Sequence, residues 1–259
     1  MKERKKRLPD GWPRHVAHRG VPSLAPENTL ASFELARSLG AQAFELDVHI
    51  ARSGDLVVVH DFGLGRVAAR DARVEELTLD ELRELEVGSW FNRAHPERAN
   101  PAFERERIPT LDEALDAIGP DAFVDVELKT NAGMPRALCR AVAETLARRK
   151  LAGAIVSSFN PFALIEYRRH GDEPVGAIYC PYKSVPWAMR HRECLYLSRP
   201  DVRKPALETA LASPNAEGGR GPTRESVVAW TVDDPAVAAE FFARGIDSIV
   251  TNRIQDFVR

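Results

Sequence analysis

Ionisable side chains stand in this sequence where strand-like neighbours should be most apolar. In Phe44-Glu45-Leu46-Asp47-Val48-His49, two carboxylates sit two residues apart among aliphatic and aromatic residues. Side chains alternate along a strand, so Glu45 and Asp47 share one face while Leu46 and Val48 share the other. Val124-Asp125-Val126-Glu127-Leu128-Lys129 repeats the pattern with Glu127 and Lys129. Unpaired carboxylates on the inner face of a fold are costly, and a hard divalent cation removes that cost by taking their oxygens. Glu45, Asp47 and Glu127 are therefore candidate ligands. A metal-free Glu–Lys or Asp–Lys network is the alternative for either strand alone. Two strands placing such residues at the same end favour the metal.

His18 ends Val16-Ala17-His18-Arg19-Gly20, and His60 ends Leu56-Val57-Val58-Val59-His60-Asp61. A lone histidine at a strand end is ordinarily a packing residue. A pair beside carboxylates suits phosphodiester cleavage, which needs one base and one acid, and imidazole titrates near neutral pH. Arg19 and Lys129 supply positive charge for a phosphate. Asp125 is expected below Glu127, paired with Lys129. His49 falls one step beyond the strand end. His15, His95, His170 and His191 are assigned to the surface.

Such residues need a frame that brings several strand ends together. Val- and Ile-rich runs alternate with helix-like segments, which signals βαβ units and a parallel sheet. The expected strands are Arg14–His18, Ala43–Ile50, Ala122–Lys129, Ala154–Phe159, Val175–Cys180, Leu195–Ser198, Val227–Val232 and Asp247–Thr251. Eight strands in 259 residues fit a single (β/α)8 TIM barrel. No Gly-rich turn after the first strand supports the open dinucleotide-binding alternative. Pro26-Glu27-Asn28-Thr29 opens a helix with apolar Leu30, Phe33, Ala36 and Leu39, closed by Gly40. Asp233 or Asp234 caps another, which has Pro235 in its first turn and ends at Gly245.

The domain expected is residues 14–259, with an insertion over 62–108 after the second strand that holds a helix at Thr78–Glu86. Residues 1–13 are expected to be a disordered basic tail, and Ser213–Glu225 a flexible loop. A net charge of −2 supplies no global field for nucleic acid or an anionic membrane, so an anionic ligand must be held locally. No apolar run approaches the length of a membrane span, and no apolar segment follows the basic start as in a secretory signal. Cys139, Cys180 and Cys194 form no CxxC motif and fit a reducing compartment, the cytoplasm.

Taken in order, His18-Arg19-Gly20, Pro26-Glu27-Asn28-Thr29, Glu45-x-Asp47, His60-Asp61, Glu127-x-Lys129 and Trp230-Thr231-Val232 resemble the glycerophosphodiester phosphodiesterases. The resemblance runs from about Arg14 to Asn252, and the insertion resembles that family's small extra domain. It implies Mg²⁺ or Ca²⁺ on Glu45, Asp47 and Glu127, His18 and His60 as the acid/base pair, and Arg19 and Lys129 on the phosphate. Trp230 and Phe159 would line the glycerol side of a small-molecule glycerophosphodiester. The family usually carries an acid where Gly65 stands and Asp-x-Pro where Asn252-Arg253-Ile254 stand, and it favours Asn where Asp233 stands. The rival readings are a lysophospholipase D or sphingomyelinase D-like enzyme and a noncatalytic phosphodiester-binding barrel.

Overall fold

A computed structural model describes residues 7–130, 135–182, 193–212 and 225–258. Its strands are β1 (His15–His18), β2 (Ala43–Ile50), β3 (Leu56–Val58), β4 (Phe123–Leu128), β5 (Gly153–Ser158), β6 (Val175–Tyr179), β7 (Val202–Pro205), β8 (Ser226–Ala229) and β9 (Ser248–Thr251). All except β3 run parallel, in the order β1-β9-β8-β7-β6-β5-β4-β2, and β1 pairs with β2 to close the ring. This is the (β/α)8 barrel. The ninth strand is an addition: β3 lies antiparallel on Val48, His49 and Ile50, where β2 outruns β1 at the C-terminal rim. The insertion expected over 62–108 follows it and carries only short helices, Thr78 capping Leu79–Arg83 through the backbone N–H of Glu81.

One expected strand is a helix. Leu195–Ser198 lies in the helix Glu193–Ser198, and the seventh barrel strand is Val202–Pro205. Its sequence, Val-Arg-Lys-Pro, has one apolar aliphatic residue and two charges, so pattern reading passes over it. The ladder between β6 and β8 decides the matter, since it runs Gly176–Val202 through Tyr179–Pro205 and then Val202–Ser226. The helix Leu30–Ser38 begins where expected, Thr29 accepting a hydrogen bond from Ser32, and Gly40 follows at φ 101°. Asp234 caps the helix Pro235–Ala243, while Asp233 is engaged elsewhere.

The inward residues form layers along the barrel axis. Val16, Ala43, Ile155, Val202, Val228 and Val250 make an apolar floor, with Val250 also lining the cavity described below. The polar partners Asp125, Ser157 and Lys204 are buried together with the carboxylates of Glu45, Asp47 and Glu127, the register setting Glu45 opposite Asp125 and Glu127 opposite Ser157. The outward faces of the strands pack on the helices in the largest apolar cluster, which includes Leu46, Val48, Val124, Val126 and Phe33.

The segment expected to be a tail contributes to the floor. Leu8 and Trp12 pack against the valine layer, Trp12 meets Phe123 edge-on at 5.5 Å, and the Leu8 N–H donates to Ser226 Oγ. Its apolar content, interleaved with Pro9 and Gly11, has no period that pattern reading recognises. The Ser213–Glu225 loop, apart from Glu225, and His191 lie outside the described residues. Replacing Trp12 by Ala should lower the unfolding free energy by roughly 2 kcal/mol, part of the usual cost of emptying an aromatic site. A urea melt measures it, and a variant as stable as the wild type would return residues 8–13 to a loose tail.

Candidate active site

At the C-terminal rim the strand ends enclose a cavity of about 340 Å³ lined by His18, Arg19, Glu45, His60, Glu127, Phe159, Tyr182, Lys204 and Trp230, among others. Seven of the nine site residues expected from sequence line this cavity, and the other two, Lys129 and Asp47, join them through ion pairs. One ligand atom from each of Glu45, Asp47 and Glu127 lies within 4.8 Å of the others. Asp47 Oδ1 is buried without a hydrogen bond. Three clustered hard oxygen donors, one of them without a hydrogen bond and met only by the Lys129 ammonium at 3.4 Å, are the chemistry that a divalent cation such as Mg²⁺ or Ca²⁺ takes.

Three cations counter these acids, each from a different strand. Arg19, just beyond β1, reaches Asp47 at 3.1 Å and Glu27 at 3.1 Å. Lys129, just beyond β4, reaches Glu127 at 2.9 Å and Asp47 at 3.4 Å. Lys204 on β7 bonds Asp125 and, at 3.0 Å, Ser157 Oγ. Asp125 therefore pairs with Lys204 and not with Lys129. Counting Asp125, four buried carboxylates face three cations, which leaves one negative charge. A divalent cation and a phosphodiester monoanion together would bring that sum to zero.

The carboxylates respond unequally. Burial and then the Asp47 charge hold the Glu45 carboxyl well above its usual range, against the pull of Lys204. Burial acts on Asp47 in the same sense, but Arg19 and Lys129 outweigh it and hold the group well below its usual range. Asn28 adds a hydrogen bond to Asp47 Oδ2 at 2.8 Å. To aim these groups, Arg19 and Asn28 adopt left-handed φ angles of 52° and 56°, unusual for non-glycine residues. Between them the chain turns at Gly20, φ 89°, where a Cβ would collide with Ser32.

The two imidazoles have different settings. His18 Nδ1 lies 2.6 Å from Asn252 Oδ1, and the Asn252 amide donates to Asp233 Oδ2 at 2.9 Å. An amide oxygen only accepts, so His18 Nδ1 carries the proton. Burial, and then the Arg19 guanidinium, push the His18 pKa well below its ordinary value. The ring is therefore neutral at neutral pH, with a lone pair on Nε2, which faces Glu45 Oε2 at 3.7 Å. His60 instead has Asp61 Oδ1 at 2.7 Å on Nδ1. Burial raises the Asp61 pKa, but hydrogen bonds from His60 and Arg66 prevail and hold it well below the usual carboxylate range. Arg66, from the insertion, bridges Asp61 and Glu27.

His49 does not enter the cavity. It is buried beneath His60, with Nε2 at 3.4 Å from the His60 carbonyl and its ring edge-on to Phe62 at 4.9 Å. Burial pushes it down to about 4. His15 is half-buried, with its ring packed against Phe242 and Phe257. His95 and His170 are paired with Glu97 and Glu166. Sequence reading missed Lys204, Asn28 and Asn252 as site residues. Asn28 and Asn252 lie in motifs that it had recorded for other reasons, whereas Lys204 was lost with its strand.

The sequence pattern of the glycerophosphoryl diester phosphodiesterase family matches residues 18–204. The chain belongs to this family. A glycerophosphodiester phosphodiesterase of Caldanaerobacter subterraneus subsp. tengcongensis is 30% identical over 243 residues, 92% of this chain and 93% of that protein. One from Bacillus subtilis is 35% identical over 158 residues, 58% of this chain and 54% of that protein. An Oleispira antarctica phosphodiesterase, solved in complex with the product sn-glycerol-3-phosphate, superposes with a TM-score of 0.76 at 28% identity, covering 94% of each chain.

Two departures from the family pattern prove to be the two ends of one hydrogen bond. Where the resemblance leads one to expect Asn and Asp, this chain has Asp233 and Asn252, and the two side chains bond each other, so the expected acid and amide stand exchanged across one contact. Exchanging both, Asp233→Asn with Asn252→Asp, should leave the thermal melt close to that of the wild type. Asn252→Asp alone sets two carboxylates together and should cost about 1–3 kcal/mol. The double exchange also puts a carboxylate on His18, raising its pKa. Were His18 the base of the reaction, which must be deprotonated to act, the acid limb of kcat/KM would then move to higher pH. A single variant as stable as the double one would refute the paired reading.

Proposed function

We propose that this protein is a divalent-metal-dependent phosphodiesterase that hydrolyses glycerophosphodiesters to sn-glycerol 3-phosphate and an alcohol. The observation that carries the reading is one cavity that joins two differently set imidazoles to a buried carboxylate triad. Membership of the family and the product bound by the Oleispira antarctica relative support the substrate class.

Glu45, Asp47 and Glu127 would hold Mg²⁺ or Ca²⁺, which supplies a Lewis acid for a nonbridging phosphoryl oxygen. Arg19 and Lys129 add positive charge where the phosphate gathers negative charge in the transition state. His18 takes the proton of the attacking hydroxyl at Nε2, the nitrogen that its bond to Asn252 leaves unprotonated. As the new P–O bond forms, the bond to the departing alcohol breaks, and His60 gives that oxygen its proton. Asp61 holds the His60 ring through its Nδ1. Proton exchange with solvent resets both rings. Phe159 and Trp230 border the substrate on the other side of the cavity. We place the protein in the cytoplasm, where its three unbridged buried thiols stay reduced.

His18→Ala should lose roughly 10²–10⁴-fold in kcat on a glycerophosphodiester while its thermal melt stays near that of the wild type. A folded His18→Ala protein with near-wild-type turnover would end this mechanism. Exhaustive chelation should abolish turnover, with Mg²⁺ or Ca²⁺ restoring it; turnover that persists without metal would remove the proposed role of the triad.

A further inference from the structure

One wall of the cavity differs chemically from the rest. Phe159 follows β5, Tyr182 follows β6 and Trp230 follows β8, and Ile178 and Val250 fill in behind them. The Trp230 ring meets Phe159 at 5.6 Å and 88°, and Tyr182 at 6.4 Å and 85°. Two rings thus stand perpendicular to the indole, like adjoining sides of a box. The polar atoms of these rings are already engaged. The Trp230 indole N–H donates to the Lys204 carbonyl at 2.9 Å, and the Tyr182 hydroxyl donates to Glu208 at 2.8 Å.

A polyol placed here would leave its water hydrogen bonds without replacements from these side chains, which costs free energy. A quaternary ammonium group has no hydrogen bonds of that kind to lose, and aromatic faces attract it. The Glu208 carboxylate behind Tyr182 adds attraction for a cation. Lys204 also lines the cavity, but the residue is only 2% exposed and its ammonium is paired with Asp125, so its charge is matched within the barrel.

We propose that Phe159, Tyr182 and Trp230 form a box for the trimethylammonium group of the departing alcohol, making glycerophosphocholine the preferred substrate. The proposal rests on reading the cavity as a phosphodiesterase site. It reverses the expectation that Phe159 and Trp230 face glycerol. The glycerol end is assigned instead to the side of His60, where Glu27, Asp61 and Arg66 present hydrogen-bonding groups.

The test compares kcat/KM for three esters of sn-glycerol 3-phosphate in the metal-loaded protein. The alcohols are choline, 3,3-dimethylbutanol (the same shape without the charge) and glycerol. The choline ester should exceed the dimethylbutyl ester about tenfold, the scale of a desolvated cation–π contact, mainly through KM. In Tyr182→Leu that ratio should fall toward one. Equal rates for the choline and dimethylbutyl esters, preference for the glycerol ester, or an unchanged ratio in Tyr182→Leu would each overturn the box. Cleavage of none of the three would overturn the phosphodiesterase reading instead. Calorimetric titration with choline then judges the box separately: binding that Tyr182→Leu weakens supports it, and no binding by the wild-type protein overturns it.

Discussion

Repulsion among buried carboxylates is the constraint that organises this barrel. Oxygens of Glu45, Asp47 and Glu127 lie within 4.8 Å of one another and almost wholly out of water. Two like charges about 4 Å apart repel by about 4 kcal/mol even at an effective dielectric of 20. Arg19, Lys129 and Lys204 answer that repulsion from three different strands, and no local sequence segment provides all three. Closing β1 onto β2 brings Arg19 to Asp47, while the neighbouring β4 supplies Lys129. Closure is thus an electrostatic requirement as well as a packing one. The left-handed turns at Arg19 and Asn28 belong to the same account, because both residues end on Asp47. Backbone conformations of that kind persist where surrounding contacts over-determine them.

Much of this was legible in the sequence, because the unusual residues fall on regular elements. Period two in Glu45-x-Asp47 and Glu127-x-Lys129 places side chains on one face of a strand, and the structure keeps that parity. The valine-rich runs and the caps at Thr29 and Asp234 likewise obey local rules. The failures share one cause: each element is specified by its neighbours in space. Val202–Pro205 has no apolar run and becomes a strand because β6 and β8 flank it. Leu195–Ser198 has such a run, yet it forms a helix against β6 and the helix Pro161–Tyr167. Leu8 and Trp12 are held by a floor assembled from distant strands. The pairing of Asp125 followed from the missing strand, since without β7 there was no Lys204 to consider.

The exchanged pair at 233 and 252 shows what the fold specifies at a hydrogen-bonded contact. An acid accepts and an amide both donates and accepts, so one of each can satisfy the other across the end of β9 in either order. The order still matters to His18. With the carboxylate at 252, an ionised group would lie on the ring and favour the imidazolium. With the amide there, the carboxylate is moved one bond further away, and it also binds Thr251 and the Asn252 backbone. What remains beside His18 is a neutral acceptor that orients Nδ1–H without holding a positive charge. His60 keeps a carboxylate directly on its ring through Asp61. The two imidazoles, alike in sequence context, therefore meet different partners, a neutral amide oxygen on His18 and the adjacent acid Asp61 on His60, and that is the unlike setting the proposed base and acid would need in a single cavity.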